Sequence, residues 1–148
     1  MWECACGEGH LSERLKKHGH FVISTDLINR GYGKGEIDFL TAGRPLMEDT
    51  LAIVTNPPYR YATEFVRHAL EIMHDGEYVC MFLKLTFLEG KERRKLFDKS
   101  PPLKVLVFSE RIKCAKNGDF GSVGASAVAY AWFVWRKGYK GKPTVSWI

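Results

Sequence analysis

The sequence predicts an α/β layered fold on a mostly parallel sheet, with an antiparallel strand near the C-terminal end. Apolar strand-like runs alternate with amphipathic helix-like runs along most of the chain, the pattern of strand–helix–strand crossovers. Polar and glycine-rich clusters fall where several of those strands should end. The last two clear strand-like runs are joined by a loop with no helix between them, and a strand pair without a crossover is antiparallel.

The elements follow in order. "ECACGEGH" is a glycine-punctuated turn. "LSERLKKHG" is a helix, with Leu11 and Leu15 one turn apart, basic residues late and Gly19 as a stop. "HFVISTDL" is a strand and "EIDFL" a weaker strand-to-loop piece. "DTLAIVTNPPY" is a buried strand ending in two prolines and an aromatic ring. "ATEFVRHALEIMHDG" is a helix: Phe65, Ala69 and Ile72 or Met73 share a face, and Gly76 ends it. A buried strand "EYVCMFLKL" follows, then a short charged helix "EGKERRKLFDKS" halted by Pro101-Pro102. "KVLVFSERI" and "AVAYAWFVWRK" are the last strands.

A chain of 148 residues suffices for one domain with a real core. It carries neither an apolar run of bilayer length nor the opening of a signal peptide, so a soluble, cytoplasmic protein is expected. Of the four cysteines only Cys4 and Cys6 are close, and no second pair completes a zinc spacing; no metal is expected. The formal net charge of +5 is compatible with an anionic partner.

In a parallel sheet, ligands sit at the carboxyl ends of the strands. Four clusters are expected there. Gly7 and Gly9 permit positive φ and close approach to the backbone. Serine at position 12 departs from a dinucleotide fingerprint, and Glu3 repels phosphate but suits an ammonium. Asp26 stands about twenty residues beyond this turn, where a carboxylate accepts ribose hydroxyls, although aspartate also serves as a helix cap. Asp38 beside Phe39 suits an adenine amine and a ring face, or an ordinary loop with a core ring. The strongest cluster is Asn56-Pro57-Pro58-Tyr59, expected by chance on the order of once in a thousand chains of this length. Its prolines remove two donors and leave acceptors. An amide oxygen, a carbonyl and a flat ring suit a planar amine, held so that its nitrogen can attack a methyl group.

These residues resemble the adenine-N6 DNA methyltransferases of bacterial or phage type. "ECACGEG" is similar to the family's cofactor motif, "TDL" and "DFL" to its next two cofactor positions, and "NPPY" to its catalytic motif. "KLTFLEGKERRKLF" and "VFSERI" resemble later portions of short phage-type DNA methylases. The resemblance implies a Rossmann-like class I methyltransferase fold and S-adenosylmethionine as cofactor. It implies that Glu3 binds the methionine end and Gly7 lines the turn beneath it, with Cys4 and Gly9 also among the cofactor-binding residues. Asp26 would take the ribose, with Leu27 also at the cofactor, and Asp38 and Phe39 the adenine. Asn56 and Pro57 would hold the target amine, with Pro58 stiffening the turn and Tyr59 stacking on a flipped base.

Residues 1–148 are expected to form one such domain, without the family's N-terminal element or a target-recognition domain. DNA is the expected partner, with RNA as a second possibility. Lys84, Arg111, Lys113 and Lys116 are the expected phosphate contacts, and a partner chain or second copy is an expected source of specificity. Three other readings stay open: methylation of adenine in RNA, methylation of a protein glutamine amide, and an inactive nucleic-acid-binding or partner subunit.

Overall fold

The computed structural model describes residues 1–44, 50–112 and 128–148. Among these the strands are β1 Trp2–Glu3, β2 Ile23–Ser24, β3 Ala52–Thr55, β4 Tyr78–Lys84, β5 Lys104–Val107, β6 Tyr130–Arg136 and β7 Thr144–Trp147. The helices are α1 His10–Lys17, α2 Ala62–Ile72 and α3 Lys91–Lys99, with 3-10 turns at Tyr59–Tyr61 and Leu85–Leu88.

The strands form one sheet in the order β2-β1-β3-β4-β6-β5-β7. Every pairing is parallel except the two made by β6, which runs antiparallel to β4 and β5. The expected α/β class and the antiparallel pair are both present. From β1 the chain passes through α1 to one neighbour, β2, and then returns to the other, β3. The order reverses between β1 and β3, so the carboxyl ends of these strands border the switch-point crevice.

Side-chain alternation fixes the two faces. Glu3 and Ser24 are register partners and both meet α1 through Ser12. On the opposite face Trp2, Ile53, Val79, Met81, Phe133 and Trp135 join Phe65, Val66 and Ala69 of α2 and Leu96 of α3 in the core.

The helices follow from local chemistry. Helix α1 carries Glu13 in its first turn and Arg14, Lys16 and Lys17 in its last, each sign matching the helix dipole. Helix α3 buries only Leu96 and is laced by Arg94–Asp98 (2.8 Å) and Lys95–Glu92 (2.7 Å) pairs. Among the described residues no helix is long and apolar enough to cross a membrane.

Three elements differ from expectation. The strand over "HFVISTDL" shrinks to Ile23–Ser24, because β1 offers it only two paired residues; beyond them Thr25 makes a single bridge to Lys34. "EIDFL" forms no strand. There the Asp38 side chain accepts the Leu40 amide (3.0 Å) and the Asp38 carbonyl accepts the Ala42 amide (3.0 Å), local bonds that replace a ladder. Strand β7, not foreseen from the pattern, pairs in parallel with β5.

Candidate active site

Beyond β1 the chain turns through Gly7 (φ +55°) and Gly9 (φ +86°), and Gly9 caps α1. A Cβ on Gly9 would lie 2.4 Å from the Tyr32 ring, so only glycine lets Tyr32 lie across the start of the helix. The Tyr32 hydroxyl donates to Glu13 Oε1 (2.6 Å) and accepts from Lys16 Nζ (2.8 Å). A Cβ on Gly7 would meet nothing within 4 Å; that side of the turn is open.

The Gly7 amide donates to Asp26 Oδ2 at 2.8 Å, which joins the first two clusters. The other oxygen, Oδ1, accepts the Ile28 amide and Arg30 Nη1, each at 2.8 Å. Leu27, between them, is 62% exposed, leaving a large apolar side chain at the rim beside a carboxylate.

Glu3 is 2% exposed. Its carboxylate accepts a hydrogen bond from Ser12 Oγ, which also pairs with Ser24 Oγ at 2.7 Å. Burial pushes the Glu3 carboxyl up to about 7 against the opposing pull of the Ser12 bonds. Ser12 is fully buried. In the sequence it stands only as a departure from a glycine pattern; in the fold it bridges the ends of two strands. Cys4 and Cys6 are buried beside this turn. Burial pushes the Cys6 thiol up to about 11 and the Cys4 thiol higher, so neither is a ready nucleophile.

The third cluster divides. Asp38 stays exposed. Phe39 turns into the core, 2% exposed, with ring centroids of Trp2 at 5.2 Å, Phe65 at 4.8 Å and His68 at 5.0 Å. Its ring is spent on packing.

At the end of β3, Asn56 is exposed and Pro57 buried. Pro58 (φ −60°, ψ 116°) starts the 3-10 turn, and its carbonyl accepts the Tyr61 amide at 2.9 Å. Tyr59 is half-buried, with Lys84 Nζ 5.4 Å and the Tyr130 ring 5.7 Å from its centroid. Tyr130 stacks on Phe82 at 5.1 Å with planes 10° apart, and Phe82 meets Phe108 and Trp132 edge-on. Sequence reasoning missed Tyr130. The signal was topological: an antiparallel strand begins at the rim where parallel strands end, so its first residue joins the site.

The expected phosphate contacts also divide. Lys84 stands beside Tyr59 within the site. Arg111 lines a cavity of about 220 Å³ with Phe108, Ser109 and Tyr130. Lys113 and Lys116 lie outside the described residues.

No family model matches the chain, and no curated protein sequence matches it. Solved structures do. The methyltransferase subunit of a type I restriction-modification system from Streptococcus thermophilus superimposes with a TM-score of 0.70 at 12% identity, over 99% of this chain and 41% of that one. A putative class I S-adenosylmethionine-dependent methyltransferase from Listeria monocytogenes gives 0.62 at 12% identity, over 99% and 57%. A putative hemolysin from Lactococcus lactis gives 0.67 at 13% identity, over 98% and 82%. The chain thus spans about half the length of the first two. What it shares with them is the fold, a Rossmann-like sheet with crossover helices.

Proposed function

We propose that this chain transfers the methyl group of S-adenosylmethionine to the N6 amine of adenine in DNA. The observation that carries the reading is the placement of Asn56-Pro57-Pro58-Tyr59 at the carboxyl end of β3, next to the glycine turn that ends β1. A donor held by one strand end and an acceptor amine held by the next are then neighbours across the switch point.

The cofactor half fits a nucleoside carrying an amino acid. Gly7 leaves space, Asp26 presents a buried carboxylate, Leu27 supplies an apolar cover and Glu3 a carboxyl whose ionised form an ammonium would stabilise. When bound, the cofactor supplies an electrophilic methyl group. The chain does the positioning. Asn56 Oδ1 and the Pro57 carbonyl accept the two amine hydrogens, which draws the nitrogen towards sp³ and frees its lone pair. Tyr59 stacks on the base, offsetting the few kcal/mol that extrusion costs, and the rings of Tyr130 and Phe82 back it. A second chain supplies target specificity; the likeness to a restriction-modification subunit more than twice as long as the shared region supports this.

Tritiated methyl transfer from the cofactor to DNA, RNA and protein tests the reading. Label on N6 of adenine in DNA is the expected result. Label confined to RNA or to glutamine amides would move the substrate; label on none, with nucleic-acid binding retained, would make the chain an inactive subunit.

A further inference from the structure

A cavity of about 90 Å³ opens beside Tyr59 on the α3 side, with Lys84, Thr86, Phe87 and Arg93 in its wall. Its two cations are held differently from their neighbours in sequence. Arg94 and Lys95 are largely exposed and are spent on Asp98 and Glu92 along α3. Among the described residues neither Lys84 nor Arg93 pairs with a carboxylate. Arg93 is fixed by neutral contacts instead. Its Nε donates to the Glu89 carbonyl, its Nη2 donates to the Thr86 carbonyl at 3.3 Å, and its guanidinium lies 5.4 Å from the Phe87 ring centroid. Gly90 (φ +103°) lets the chain pass beneath it, since a Cβ there would stand 3.1 Å from Nη2. Lys84 ends β4 with its ammonium over Tyr59.

An oriented guanidinium and an ammonium with no acid between them among the described residues make an anion grip. Its position beside Tyr59 narrows the anion. Tyr59 lines this cavity together with Lys84 and Arg93, so one ligand can place a ring on Tyr59 and an anion between the cations. A nucleotide in a strand carries both, a base and its flanking phosphodiester; a protein glutamine carries no anion next to its amide. We infer that Lys84 and Arg93 clamp the phosphodiester flanking the nucleotide whose base stacks on Tyr59. The inference deepens the proposed function and rests on its placing of the base on Tyr59. It makes the substrate a nucleic acid, and it singles out Arg93 from a charge run that would otherwise be a solvated face.

The test is the salt dependence of binding, measured by fluorescence anisotropy with labelled DNA duplex and single-stranded DNA and RNA of random sequence. Lys84→Gln and Arg93→Gln should each lower the slope of log K against log[salt] by about one, whereas Arg94→Gln should leave it unchanged. Arg93→Lys keeps the charge and should keep most of the slope, which separates a lost contact from a lost fold; circular dichroism of each variant checks the same point. Equal losses on DNA and RNA would place the contact on the phosphodiester common to both. Unchanged slopes in both glutamine variants, or no nucleic-acid binding by the unaltered chain, would overturn the clamp. Slope losses in a chain that transfers no methyl group would keep the clamp and sink the proposed reaction.

Discussion

The two halves of the rim are built in opposite ways. The β1–β2 half is polar and internally satisfied: Ser12 holds Glu3, and the Asp26 carboxylate is already engaged by Gly7, Ile28 and Arg30. The β3–β4–β6 half is aromatic and cationic, with an exposed amide at Asn56 and two cations lacking acid partners among the described residues. A ligand entering the first half meets groups already hydrogen-bonded to one another; one entering the second meets aromatic rings, two cations and an exposed amide. On the proposed function the first half would set cofactor affinity and its pH dependence. The second would carry the chemistry.

The largest effect should come from breaking the second half alone. Asn56→Ala should lower methyl transfer by on the order of 10²–10³-fold, the usual cost of removing one preorganised contact to a reacting group. Cofactor affinity, measured by calorimetry, should stay within a few-fold. Transfer that survives the change would remove Asn56 from the catalytic role, and a matching loss of cofactor affinity would mean that the halves are not separable.

Glu3 sharpens the comparison from the other side. Its folded value, about 7, lies above the ordinary 4.5. The folded state binds the proton more tightly, so this group's contribution to stability is fully present below the ordinary value and is lost as pH rises through about 7. Glu3→Gln removes that loss. Its stability relative to the unaltered chain should rise between pH 4.5 and 7 by ~3 kcal/mol and then level off. An ammonium ligand favours the ionised carboxylate, so cofactor affinity should rise with pH over the same window and lose that dependence in the variant. Denaturation at a series of pH values and calorimetry read the two effects separately. A flat stability difference would mean that Glu3 is ionised throughout.

Much of this was legible in the sequence, and the two halves differ in how much. Asn56 to Tyr59 could be placed because two prolines and an apolar run fix a strand end locally. The sheet class followed from alternation, and the antiparallel pair from a missing crossover. Phe39 and Ser12 were not legible. Whether Phe39 covers a ligand or fills the core depends on Trp2 and Phe65, distant in the chain. The value of Ser12 depends on Glu3 and Ser24 arriving beside it. Tyr130 and the separation of Arg93 from Arg94 depended likewise on which strand ends share a rim and which helix face meets it.

Gly9→Ala should act in the first half by sterics. The position has φ +86°, and the added Cβ would stand 2.4 Å from the Tyr32 ring. Tyr32 must move or the turn must reshape, at a cost of about 1–3 kcal/mol. Gly7→Ala shares the backbone strain (φ +55°) but meets no neighbour, so it should destabilise less. Its added methyl points into open space at the turn, and a loss of cofactor affinity larger than its loss of stability would locate the ligand there. Equal stability losses in the two variants would show that Tyr32 gives way freely.

The smallest effect should come from Arg30. Its guanidinium holds Asp26 Oδ1 at 2.8 Å, yet the arginine side chain is 34% exposed, so solvent screening leaves the pair worth less than ~1 kcal/mol. Arg30→Gln should therefore lower stability only slightly in chemical denaturation. Its bearing on the ligand is more telling. The guanidinium occupies one side of the carboxylate that the ribose hydroxyls are proposed to use. If Arg30 competes with the ribose, the variant should bind cofactor as well as the unaltered chain or a few-fold better. If Arg30 instead steadies Asp26 through the Oδ1 bond and leaves its remaining lone pairs for the ligand, affinity should fall several-fold. The second outcome would show that internal bonding on this half orients its groups rather than blocking them, and the contrast between the halves would become one of preorganisation rather than of occupancy.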